Sequence, residues 1–114
     1  MMRKRKGYKV YPLTVAQKFH LYYLPFCPTA AVLNIGTSLT IEEDLDWDLL
    51  AKSINQAYAR SEGMRIRFAK DKEGTWYQYV VNPEEKEIEF ADFTDKTVEE
   101  AHAVMQQWTT VPFK

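Results

Sequence analysis

The sequence predicts a mixed α/β (α+β) domain in which a mixed or antiparallel sheet is joined to about three helices. Two patterns carry that prediction. Three segments repeat apolar residues at helical spacing behind a capping residue, and the stretches between them alternate apolar with polar or small residues. Composition is the third observation: 46% hydrophobic and 27% charged residues are those of an ordinary globular chain, and 14% aromatics argue against disorder. A length of 114 residues allows one core and one domain. No repeat, low-complexity run or composition shift divides it.

Residues 1–10 read as a basic tail and lead-in, and residues 11–114 as the folded portion. Arg3, Lys4, Arg5 and Lys6 place four of the fifteen basic residues in the first six positions, leaving eleven against sixteen acids in the remainder. The body is therefore acidic and has no basic stripe interleaved with aromatics, which excludes a nucleic-acid surface. The tail reads as frayed and solvated. Tyr8 to Tyr11 is an extended lead-in, because Pro12 biases Tyr11 away from helix.

Thr14 and Gln17 have capping-box spacing and start a helix over about Thr14 to Leu24. Phe19, Tyr22, Tyr23 and Phe26 form its aromatic face, and Pro25 and Pro28 stop it. His20 has no ligand partner at i+3 or i+4, where Tyr23 and Leu24 stand. The single cysteine, Cys27, has no second cysteine for a disulfide or a metal pair and reads as a small hydrophobe in a Pro-flanked loop.

Ala31 to Ile41 alternates and is rich in β-branched residues, predicting a strand. Ile35, Thr37, Leu39 and Ile41 share one face. Asn34, Gly36, Ser38 and Thr40 make the other face small and polar, fit to line a channel or to meet solvent. Glu42 to Asp44 is an acidic turn, and Asp46 then caps a helix whose first turn carries Asp48, matching the positive end of the dipole. Trp47, Leu50, Ala51, Ile54, Ala57 and Tyr58 line its apolar face. Gly63 is the expected left-handed residue beyond its end.

Met64, Ile66 and Phe68 alternate with Arg65, Arg67 and Ala69, predicting a strand with one apolar and one guanidinium-bearing face. Lys70 to Gly74 is a hairpin loop and Thr75 to Val81 the partner strand, ended by Asn82 and Pro83. Glu87 to Ala91 is a further short strand. Thr97 and Glu100 repeat the capping-box spacing before a helix with Ala101, Val104, Met105 and Trp108 on one side, flanked by His102.

No glycine-rich phosphate loop, paired histidine, nucleophile elbow or metal-spaced cluster occurs. The acids from Glu42 to Asp48 form a run rather than a convergent pair. One concentrated set of opposite charges remains, Arg60, Glu62, Arg65 and Arg67, at the helix-turn-strand junction. Its structural reading pairs Glu62 with a neighbouring guanidinium, since the planar fork of arginine holds a carboxylate in two hydrogen bonds. Its functional reading sends Arg65 to a carboxylate supplied by a later segment.

Arg60, Glu62, Met64, Arg65 and Phe68 resemble the R-H-E-x-L-R-T-x-F motif of nonribosomal peptide synthetase condensation domains, with Ser61 and Ile66 departing from His and Thr. Thr14, Ala16 and Gln17 resemble the S-x-A-Q-x-R motif that precedes it, with Phe19 where the Arg is expected. Gln78 and Pro112-Phe113 resemble later landmarks. The resemblance implies the incomplete N-terminal lobe of a chloramphenicol acetyltransferase-like fold. It implies a parent that forms an amide between acyl and aminoacyl thioesters held on carrier proteins, as in antibiotic and other secondary-metabolite biosynthesis.

Phosphopantetheine would be carried by those partner carrier-protein domains, and the rest of the condensation domain would complete the lobe. The family's HHxxxDG motif is absent. The chain is therefore expected to be non-catalytic alone, with no catalytic, cofactor-binding or metal residue and with the matched residues structural. An epimerization or other HHxxxDG acyltransferase domain carries the same early motifs, and a complete, non-catalytic carrier-docking module is the rival of another class. No run reaches the roughly 20 apolar residues of a membrane span, and a cytoplasmic, reducing location is expected. Uncovered sheet edges are expected to drive self-association.

Overall fold

A computed structural model describes residues 4–5 and 7–112. The chain forms two compact units, each assembled from two stretches of sequence: residues up to Val15 with Glu43–Ile88, and Ala16–Glu42 with residues from Glu89 onward. No linker composition marks this division, because each unit draws on distant segments. Among the described residues there are three α-helices and an antiparallel sheet, which bears out the mixed α/β class.

The first unit holds the sheet, in the order β1-β2-β4-β3. Strand β1 (Lys4–Arg5) pairs antiparallel with β2 (Tyr8–Pro12), placing Arg5 opposite Tyr8. Gly7 turns between them at φ +88°, a conformation open to glycine because it has no Cβ. Lys4 and Arg5 are thus paired rather than frayed; Met1–Arg3 and Lys6 lie outside the described residues. Strand β2 pairs with β4 (Trp76–Val80), Tyr11 opposite Gln78, and β4 pairs with β3 (Ile66–Lys70), Phe68 opposite Gln78. The central position of β4 explains why all five of its residues are half-buried.

The hairpin forms where expected. Asp71 organises it: its carboxylate accepts from the amides of Glu73 and Thr75 at 3.0 and 2.8 Å, and its carbonyl accepts from Gly74 at 3.1 Å. Gly74 takes φ +83°.

Helix α2 (Trp47–Arg60) begins as its sequence dictates. The Asp46 carboxylate accepts from the Leu49 amide at 3.0 Å, meeting one of the donors a helix start leaves open. Its end differs from expectation. Ser61 leaves the helix in extended conformation, a short 3₁₀ helix covers Glu62–Arg65, and Gly63 does not adopt a positive φ. The expected strand therefore starts only at Ile66, and Arg65 belongs to the 3₁₀ turn before it. A side-chain amide fastens the helix to a later segment: Asn55 Nδ2 donates to the Lys86 carbonyl and Asn55 Oδ1 accepts from the Lys86 amide, each at 2.8 Å.

The second unit contains α1 (Val15–Tyr23), which begins at the boundary, and α3 (Val98–Trp108). Pro25 converts the end of α1 into a 3₁₀ turn over Leu24–Phe26. Phe19 and Tyr23 stack, with centroids 6.0 Å apart, yet the aromatic face is open and Phe26 is 86% exposed. Helix α3 has the complete capping box: the Thr97 hydroxyl accepts from the Glu100 amide at 3.2 Å, and the Glu100 carboxylate accepts from the Thr97 amide at 2.9 Å. Phe93 stacks on Trp108.

Two expected strands do not form. Ala30–Leu33 is a 3₁₀ helix capped by Thr29, after which residues 34–42 join no ladder among the described residues, and residues 87–91 likewise form no strand there. Alternation decides which side chains share a face, but a strand also needs a neighbour to receive its amides and carbonyls. Neither run is part of a strand ladder among the described residues.

Candidate functional site

Arg65 lies where the end of α2, the 3₁₀ turn and β4 converge. It is 9% exposed and, with Leu13, one of two buried residues among those described. A buried guanidinium requires acceptors to replace water. Nη1 donates to the Val81 carbonyl and Nη2 donates to the Ala59 carbonyl at 3.2 Å. The Arg65 carbonyl in turn accepts from the Val81 amide at 3.1 Å, so Arg65 and Val81 hold each other through main chain and side chain.

The bond to Ala59 also explains how α2 ends. Ala59 is in the last turn, where carbonyls lack intrahelical donors, and the guanidinium supplies one with a positive charge at the negative end of the dipole. A left-handed glycine is not needed there. The expected Glu62 pairing does not occur: Glu62 is exposed and has no ion pair among the described residues. Backbone carbonyls take the guanidinium because the 3₁₀ turn points it inward, away from the exposed face on which Glu62 sits. The Nε–H of Arg65 is buried and has no hydrogen-bond partner among the described residues.

The other motif residues are arranged around this anchor unequally. Arg60 and Met64 are exposed, Phe68 is 42% exposed, and the Arg67 guanidinium donates to the Ile66 carbonyl at 2.9 Å. Thr14 precedes α1, Ala16 is exposed within it and Gln17 is half-buried. Gln78 Nε2 donates to the Pro12 carbonyl at 2.8 Å, tying β4 to the end of β2. Phe113 of the Pro-Phe landmark lies outside the described residues. Sequence reasoning missed the acceptors at Ala59 and Val81, since any residue type presents a carbonyl and no side-chain signal marks it. Asn55, which is not among the residues of the apolar face of α2, was likewise not singled out.

The second unit carries a cleft of about 550 Å³ lined by all of residues 34–38 and, from α3, by residues that include His102, Met105 and Trp108. Asn34 Nδ2 donates to the carbonyls of Thr109 and Val111, each at 2.8 Å, closing the C-terminal end of α3. The small residue at 36 is required there: a Cβ would stand 2.8 Å from Thr109 Cγ2. His102 has no hydrogen-bonding partner among the described residues, and His20 Nδ1 lies 2.7 Å from the Ala16 carbonyl. Neither belongs to an acid-base pair. Among the described residues no group of three or more His, Cys, Asp or Glu side chains is placed to hold a metal. Among them, too, no helix is long and apolar enough to cross a membrane.

Comparison with known proteins agrees with the family resemblance of the sequence. A family model described as Condensation domain matches residues 8–114. Surfactin synthase subunit 1 of Bacillus subtilis (strain 168) is 30% identical over 103 residues, which cover 87% of this chain and 3% of that protein. No solved structure matches. Nearly the whole chain aligns with the family, from strand β2 through the arginine-anchored junction to the end of α3, and it belongs to the condensation domain family.

Proposed function

We propose that this chain supplies the N-terminal part of a condensation-domain lobe in a nonribosomal peptide synthetase, and that the whole domain forms an amide bond between thioesters held on two carrier-protein domains. In that reaction the acceptor amine attacks the donor thioester carbonyl, the carbon-nitrogen bond forms, and the donor's thiol leaves. The phosphopantetheine arms belong to the carriers, and no residue of this chain is assigned to them. The chain contributes scaffold rather than chemistry.

The observation that carries the reading is Arg65, a buried motif arginine fixed by Ala59 and Val81 whose Nε–H has no partner among the described residues. A buried donor left open costs about 1–3 kcal/mol, which an acceptor from the rest of the domain would remove. A carboxylate is the group that suits a guanidinium edge. Large apolar side chains left open, among them Phe19, Phe26 and Trp108, fit a surface that further polypeptide covers.

The test compares the purified 114-residue chain with a polypeptide extended to include HHxxxDG, each given donor and acceptor thioesters on carrier proteins. Amide product is expected from the extended polypeptide alone. Product from the short chain, or none from the extended one, would overturn the proposal.

A further inference from the structure

We draw no further inference here: the strongest candidate, the open cleft of the second unit lined by residues 34–38 and by His102, Met105 and Trp108 of α3, belongs to surface already left to the rest of the domain, and nothing in the structure shows what covers it.

Discussion

In the unit that contains the sheet, each strand meets a neighbour, and polar side chains lock α2 to later segments of the chain. In the unit that contains α3, the helix is equally well started, yet among the described residues the alternating segment beside it is hydrogen-bonded through Asn34 and joins no ladder. Both units begin a helix with a side-chain cap, Asp46 in one and Thr97 in the other. The difference lies in long-range closure. Arg65 and Asn55 connect residues 16 and 31 positions apart through backbone groups, and β4 lies between two partners.

Removing Arg65 should break the first unit most severely. Arg65→Met leaves the Ala59 and Val81 carbonyls without their donor, at a cost of about 3 kcal/mol given charged hydrogen bonds worth roughly 1.5–3 kcal/mol each. Arg65→Lys should recover only part of it, since one ammonium cannot span both carbonyls as a planar fork does. Denaturant unfolding of the three proteins measures this ordering, and a lysine variant as stable as the parent would contradict it.

Asn55 and Gly36 offer matched tests of the two units. Asn55→Ala should cost about 2 kcal/mol by losing two neutral hydrogen bonds, and the Lys86 amide should exchange faster. Asn55→Asp retains the acceptor for that amide and should restore its protection. Gly36→Ala should cost about 1–2 kcal/mol through overpacking against Thr109. Adding Thr109→Ser removes the obstructing Cγ2 while keeping the hydroxyl that donates to the Gln106 carbonyl at 2.7 Å, and should recover most of the loss.

The caps sharpen the comparison at lower energy. Asp46→Ala and Thr97→Ala should each cost about 1 kcal/mol. Equal losses in thermal unfolding would place the difference between the units in their long-range ties.

The smallest effect concerns the turn before α3. The Thr94 amide donates to the Asp92 carboxylate at 2.9 Å, and this bond, with a second from the Thr94 side chain, holds Asp92 below its ordinary value near 3.8. A lowered folded-state value means the contribution is present above that ordinary value and is lost as pH falls through the folded one. NMR titration should find the Thr94 amide resonance following Asp92. Thr94→Val, which keeps the amide and removes the hydroxyl, should move Asp92 part of the way back.

Helix starts and the hairpin were legible in the sequence because their physics is local: Asp46, Thr97 with Glu100, and Asp71 with Gly74 satisfy backbone groups two to four residues away. The motif from Arg60 to Phe68 was legible as a family resemblance for the same reason, since residue type and spacing are all it needs. Tertiary structure alone decided where its arginine goes. Carbonyls at Ala59 and Val81, rather than Glu62, received the guanidinium, and Asn55 and Asn34 became ties instead of surface polar groups. It also decided that Trp76–Val80 is a central strand while residues 35–41 join no ladder among the described residues, because a strand is completed by hydrogen bonds to a segment that its own sequence does not name.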